Sequence, residues 1–113
     1  MNDSILETIR KMLGPDSTYT YFDPDIIVLI NSAISTLVQL GVGPVEGFSI
    51  TSNHETWSDL LDGYDNLEMV KEYVYLRVKV VFDPPNSGYV LDAYKNEIKE
   101  LEWRINSQVD YKW

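Results

Sequence analysis

Four carboxylates recur at three-residue intervals in the middle of the chain: Asp59, Asp62, Asp65 and Glu68. Carboxylate oxygens are the ligands that calcium and magnesium prefer, so the first chemistry this pattern suggests is a hard-cation site. The order of residues does not fit an EF-hand loop, because Gly63 directly follows an acid and two leucines interrupt the ligand run. Acids are also favoured at helix starts by the helix dipole. The pattern therefore favours helix-start residues over a metal site.

Other residue types that catalysis and metal binding need are scarce. The chain has one histidine, His54, and no cysteine, which excludes thiolate metal sites, disulfides and cysteine nucleophiles. No glycine-rich phosphate loop follows a strand pattern, and no serine lies in a nucleophile elbow. The sequence therefore predicts a protein that is not an enzyme and has no catalytic residues, no bound metal and no cofactor.

Length and charge limit the classes of partner. The 113 residues fit one domain spanning 1–113, and a formal net charge of −9 repels phosphate backbones. The N-terminus lacks the pattern of a secretory signal, and no apolar run reaches the roughly 18 residues that a membrane span needs. We therefore expect a soluble protein made in the cytoplasm, with no membrane partner and no tight nucleic-acid binding.

Two helices are predicted in the first third of the chain. Ser4 with Glu7 three residues later is typical of a capping box, and the apolar spacing predicts a helix to about Leu13. Asp23 as N-cap and Pro24 at the first helical position predict a second, largely apolar helix to about Leu40. A helix that is apolar on several sides is expected at the centre of the fold.

The second half of the chain predicts two more helices. Residues 73–82 alternate like a strand, but residues 67–82 also have helical spacing, and the length of about 16 residues favours a helix capped by Asn66. Asp83-Pro84-Pro85 ends it, and Ser87 caps the last helix. Asn106 to Trp113 then forms a polar tail that we expect to be flexible. The fold class is all-α, a small bundle of about four helices with a long central loop.

That central loop, from Val42 to about Asn66, is longer than the roughly 12 to 15 residues usual for a plain connection. Phe48 and Ile50 alternate with polar neighbours like a short strand, and Glu55 to Leu61 could form one or two helical turns. Its apolar residues indicate a surface that pairs with another molecule. The alternative is a loop that folds back on its own core.

Aromatic residues outside the helical cores are the strongest remaining signal: Tyr19, Tyr21, Phe22, Phe48, Trp57, Tyr64, Tyr111 and Trp113. Aromatic side chains are enriched at the centres of protein interfaces because they bury a large area with few rotatable bonds. The sequence therefore favours binding over catalysis, although any one of these rings could equally fill the chain's own core.

The order of these features resembles the head-tail connector, or neck adaptor, family of long-tailed bacteriophages. The resemblance covers nearly the whole chain, and it is carried by five motifs after the first helix: Asp23-Pro24, Leu40-Gly41, the loop ending near Trp57, the run from Glu72-Tyr73-Val74 through Phe82-Asp83-Pro84-Pro85, and Leu101-Glu102-Trp103-Arg104-Ile105-Asn106.

The resemblance implies an all-helical virion protein of the head-tail neck. Members form a ring of about twelve copies below the portal and link the DNA-filled head to the stopper and tail, and DNA passes through without specific binding. Transferred to this chain, the resemblance assigns subunit contacts to loop residues: Val42, Val45, Phe48, Ile50 and Trp57. It assigns portal docking to the C-terminal segment: Trp103, Ile105, Tyr111 and Trp113. The residues alone leave open an alternative, a small acidic helical regulatory or interaction module acting as a dimer.

Overall fold

The computed structural model describes residues 3–14, 21–61, 63 and 66–112, and in residues 109–112 it describes the backbone alone. Within these residues the chain forms five helices: α1 Ile5–Leu13, α2 Asp23–Gln39, α3 Trp57–Leu61, α4 Leu67–Phe82 and α5 Gly88–Lys112. No strand lies within the described residues, whose one pairing of strand type is an isolated antiparallel bridge between Ser4 and Thr56. The all-α fold is confirmed, and α3 is a short fifth helix inside the predicted central loop.

Helix α1 begins as the sequence predicts. The Ser4 hydroxyl accepts a hydrogen bond from the Glu7 N–H at 3.2 Å, which satisfies one of the free donors of the first turn. The Glu7 carboxylate accepts from the side chain of Asn53 at 2.7 Å, so it joins α1 to the central loop and does not close the predicted capping box. The inner face of α1 is fully buried at Ile5 and Ile9.

Helix α2 begins one residue earlier than predicted. Asp23 is its first helical residue, Phe22 occupies the N-cap position, and no side chain caps the helix. The Asp23 carboxylate lies 3.5 Å from Arg10 Nε, so it pairs with a cation of α1 where the sequence predicts an N-cap bond. At the other end, Gly41 has a φ of 103°, and the Val42 N–H donates to the Leu37 carbonyl, which forms a Schellman stop.

Helix α4 has the predicted bounds. The Asn66 side chain accepts from the Met69 N–H at 3.2 Å, and the helix ends at Phe82 before Asp83-Pro84-Pro85. The buried surface of α4 is not a single stripe: Tyr73 and Leu76 are buried, whereas Val81 is 63% exposed. The reason is that α4 is central: α1, α2 and α5 all pack on it, so its buried surface is wider than one stripe.

Helix α5 is longer than predicted. The Ser87 hydroxyl accepts from the Val90 N–H at 3.4 Å, and the backbone stays helical through Lys112, so the expected polar tail from Asn106 is part of the helix up to that residue. Ile98, Leu101 and Ile105 bury the inner face against α4. None of the described helices is both long enough and apolar enough to cross a membrane.

Candidate assembly surfaces

The central loop is held to α2 by one side chain. Asn31 donates from Nδ2 to the Ile50 carbonyl at 2.9 Å and accepts from the Ile50 N–H at 2.7 Å. This two-way bond satisfies both backbone groups of Ile50 as a neighbouring strand would, although residues 48–50 form no strand. The strand-like alternation at Phe48 and Ile50 therefore corresponds to extended backbone that bonds to the Asn31 side chain and not to a neighbouring strand.

The same loop is tied to α1 further along. The Ile5 N–H donates to the Glu55 carbonyl at 3.1 Å, and the Trp57 N–H donates to the Asp3 carbonyl at 3.2 Å. The Trp57 indole N–H donates to the Thr8 hydroxyl at 3.1 Å, which gives this fully buried ring its polar partner. The second half of the loop is therefore part of the monomer's own fold.

A tight turn within the loop is organised by Glu55. Its carboxylate accepts from the Thr51 N–H at 3.0 Å, from the Thr51 hydroxyl at 3.1 Å and from the Ser52 N–H at 3.3 Å. Desolvation disfavours the charged carboxylate, but these hydrogen bonds outweigh it and lower the pKa of Glu55 below its ordinary value. The turn is therefore best formed when Glu55 is ionised.

The five loop residues predicted for subunit contacts divide into two groups. Val42, Ile50 and Trp57 are buried in the monomer core, at 1% exposure or less. Phe48 packs partly against that core, whereas Val45 is 98% exposed. The loop thus follows the fold-back alternative at three positions and leaves Val45 fully accessible to a second molecule.

The predicted docking residues of the C-terminal segment also differ in exposure. Trp103 is 70% exposed, which is unusual for so large an apolar side chain. Ile105 is fully buried and holds α5 against the core. The backbone at Tyr111 is helical but its side chain lies outside the described atoms, as does all of Trp113.

An aromatic cluster that sequence reasoning did not single out joins the start of α2 to the end of α4. The Phe22 ring makes edge-to-face contacts with Tyr21, at 5.0 Å between centroids, and with Phe82, at 5.5 Å. Tyr21 is 74% exposed and Phe22 41%. The sequence indicates Tyr21 and Phe22 as aromatics outside helical cores, and Phe82 as the last residue before a helix stop. That these residues lie close together depends on the antiparallel packing of α2 and α4.

A polar network connects three helices at the centre of the bundle. The Tyr73 hydroxyl donates to Glu102 Oε2 at 2.7 Å and accepts from Arg77 Nη1 at 2.7 Å. Arg77 also donates to the hydroxyls of Thr36 at 3.0 Å and Ser32 at 3.1 Å on α2. Burial and the hydrogen bond to the Glu102 carboxylate raise the pKa of Tyr73 to about 12, so the hydroxyl is a stable donor at neutral pH.

The acidic residues of the middle of the chain have structural partners where they are described. Asp59 accepts from the Thr56 N–H at 3.1 Å, and the Thr56 hydroxyl accepts from the Asp59 N–H at 3.3 Å, so the pair forms a reciprocal cap on α3. Asp62 and Asp65 lie outside the described residues. Among the residues that are described, no group of three or more His, Asp or Glu side chains could hold a metal ion.

These features define a small all-helical protein whose accessible chemistry consists of exposed apolar side chains on an acidic surface, the chemistry of protein contacts. The family model described as phage connector protein matches residues 5–112. The chain therefore belongs to the phage connector family and is a structural protein of the connector type. No curated protein and no solved structure gives a significant match.

Proposed function

We propose that this chain is a head-tail connector that forms a ring of about twelve copies beneath the portal and links the DNA-filled head to the stopper and tail. The observation that carries the proposal is the family match over residues 5–112, which leaves only the first four residues and the last one unmatched. The proposed location is the virion neck, and the proposed partners are the portal and a head-closure or tail protein.

Exposed apolar side chains support an assembly role. Tyr21, Val45 and Trp103 are each at least 70% exposed, and they lie on different elements of the described fold. Tyrosine and tryptophan are enriched in protein interfaces relative to the rest of the surface, which favours a contact role for Tyr21 and Trp103. A ring subunit needs at least two such surfaces toward its neighbours and further ones toward the proteins above and below.

We assign portal docking to the C-terminal half of α5. Trp103 projects from a helix that continues for nine more residues to Lys112, and the buried Ile105 fixes that helix to the core. A rigid helix with an exposed tryptophan loses little conformational entropy on binding, which favours a groove-binding mode. Tyr111 and Trp113 belong to the same proposed dock by their sequence position.

We assign one subunit contact to the exposed part of the central loop, at Val45 with Phe48 beside it. Val42, Ile50 and Trp57 support this contact from the core, because their burial holds the loop in position. The formal charge of −9 fits a channel that DNA crosses without adhering, since acidic walls repel phosphates.

Native mass spectrometry of the purified chain mixed with the portal protein of the same phage tests the proposal. We expect complexes in which the number of copies of this chain matches the rotational symmetry of the portal ring. Absence of binding at high protein concentration would contradict the connector function and favour a small acidic regulatory dimer, which the mass of the free protein would then show.

A further inference from the structure

The turn over residues 51–55, called here the Glu55 turn, is closed by one carboxylate. Glu55 Oε2 accepts from the N–H and the hydroxyl of Thr51, and Glu55 Oε1 accepts from the Ser52 N–H. An ionised carboxylate offers two oxygens that act only as acceptors, whereas a protonated carboxyl group carries a donor on one of them. The full set of bonds that closes the turn therefore requires the ionised side chain.

The Glu55 turn also joins the central loop to α1. The Glu55 carbonyl accepts from the Ile5 N–H at 3.1 Å, which is a bond to the first residue of the helix. The Asn53 side chain donates to Glu7 Oε2 at 2.7 Å. Both bonds come from residues of the turn, so the shape of the turn determines how this part of the loop lies on α1.

Hydrogen bonds, and not a cation, hold the Glu55 carboxylate in place. None of the ion pairs in the described part of the chain includes Glu55. The side chain is half-buried and Thr51 is exposed, so water reaches the carboxylate. The ionisable residues within the turn and on the elements beside it are Asp3, Glu7, Lys11, His54 and Asp59. Protons can therefore act on the bonds of the turn directly, with no ion pair to break.

We infer that the Glu55 turn is a pH-sensitive switch: protonation of Glu55 opens the turn and releases residues 51–55 from α1, while the helical bundle stays folded. Ile50 and Trp57, on either side of the turn, are buried in the core, and this confines the opening to the residues between them. The switch gives the loop that carries the proposed contact at Val45 a second, acid-opened state. It is a property of the monomer and does not depend on the proposed ring.

The direction of the pH dependence follows from the hydrogen bonds. Desolvation raises the pKa of Glu55, but hydrogen bonds from its own N–H, from Thr51 and from Ser52 lower it further, so the folded value lies below the ordinary 4.5. The contribution of Glu55 is therefore complete above the value of the unfolded chain and is lost as the pH falls through the lower, folded value. The turn is closed at neutral pH and opens at a pH below 4.5.

An NMR titration of the wild-type chain tests the switch. The amide protons of Thr51 and Ser52 should shift upfield together between neutral pH and about pH 3, because both lose the same carboxylate acceptor. High salt should leave their common midpoint nearly unchanged, since no cation supports the carboxylate. Different midpoints for the two amides, or a midpoint that coincides with the acid unfolding of the helices in circular dichroism, would overturn the inference.

Glu55→Gln tests the switch at neutral pH, where the other carboxylates keep their charge. The amide has the shape of the protonated carboxyl group, with one acceptor and one donor. Hydrogen exchange at the Thr51 and Ser52 amides should become about tenfold faster or more, and exchange at the Ile5 amide should rise with it. Glu46→Gln is the matched control, because it makes the same change at an exposed glutamate earlier in the same loop.

An amide inside α4 separates local opening from unfolding. The Val78 amide should keep its wild-type protection in Glu55→Gln, because the α4 core does not depend on the turn. Equal acceleration at Thr51 and Val78 would show that Glu55 supports the whole fold, which would overturn a local switch. Wild-type exchange at Thr51 and Ser52 in Glu55→Gln, or the same acceleration in Glu46→Gln, would also overturn it.

Discussion

The hydroxyl of Tyr73 on α4 lies 2.7 Å from Glu102 Oε2 on α5, and this hydrogen bond is a polar link between the two helices. Tyr73 is fully buried and also accepts from Arg77, which continues the network to α2. Three of the five described helices are therefore coupled through one phenol oxygen. Removal of this oxygen should therefore lower the stability of the whole bundle.

Tyr73→Phe should lower the free energy of unfolding by about 1 to 3 kcal/mol, because it removes the buried hydroxyl that donates to Glu102 and accepts from Arg77. Urea denaturation followed by circular dichroism measures the change. Tyr75→Phe is the matched control: Tyr75 is a half-buried neighbour on the same helix, and a change of about 0.5 kcal/mol or less is expected there. Equal losses for both variants would contradict a specific role for Tyr73.

Alkaline pH should destabilise the protein through the same residue. The folded pKa of about 12 lies above the ordinary value of 10.0, so the unfolded chain releases this proton first. The contribution of Tyr73 is therefore intact below pH 10 and is lost as the pH rises toward 12, by about 3 kcal/mol at most. Unfolding free energies between pH 9 and about 12, compared with those of Tyr73→Phe, isolate the effect. If the unfolding free energies of the wild type and of Tyr73→Phe fell in parallel with rising pH, Tyr73 would not be the source of the alkaline destabilisation.

Asn31→Ala should release the central loop from α2. It removes both bonds to the Ile50 backbone and leaves the Ile50 amide without its partner, at a cost of about 1 to 3 kcal/mol. Hydrogen exchange should show loss of protection at the Ile50 amide before the helices are affected. Asn96→Ala, on the exposed face of α5, serves as control and should leave that amide protected. Unchanged exchange in Asn31→Ala would mean that the loop is held elsewhere.

Serine substitutions in the loop should separate folding from assembly. Ile50→Ser should destabilise the monomer by about 2 to 5 kcal/mol, because it replaces a core side chain that is 1% exposed. Val45→Ser should leave the stability within about 0.5 kcal/mol and weaken ring assembly, because Val45 is 98% exposed. Thermal melts and native mass spectrometry give the two readouts. If Val45→Ser assembled normally, the loop contact would be excluded.

Trp103→Ala should weaken portal binding by about tenfold or more, as expected for an exposed tryptophan at the centre of a contact. Its effect on stability should be small, since the side chain is 70% exposed. Tyr89→Ala is the matched control, an 85% exposed aromatic at the other end of α5. The affinity of each variant for labelled portal protein checks the assignment. Equal losses of affinity in the two variants would argue against a docking site centred on Trp103.

Deleting residues 106–113 should also weaken portal binding. Because the backbone is helical through Lys112, the deletion should shorten α5 and slightly reduce the helical signal. Deletion of a flexible tail would leave that signal unchanged. Circular dichroism measures the helical content of the truncated chain, and native mass spectrometry measures its binding to the portal. Retained portal binding would move the dock to another part of the chain.

The sequence by itself determined the helices and most of their ends. Ser4, Asn66 and Ser87 cap helices where local hydrogen bonding predicts it, and Gly41 and Asp83-Pro84-Pro85 stop them through backbone geometry. These signals act over three or four residues, so they can be read without knowledge of the fold. The motif order that resembles phage connectors is likewise a property of the sequence, and the family match confirms it.

Only the tertiary structure decided which apolar residues face outward. Ile50 and Trp57 are inside because Asn31 and Thr8, 19 and 49 residues away, bind the loop, and no local pattern encodes such distant partners. Phe22 contacts Phe82 only because α2 and α4 pack together. Burial depends on every element that packs around a side chain, and this is why the candidate contact surfaces could be located only after the fold was known.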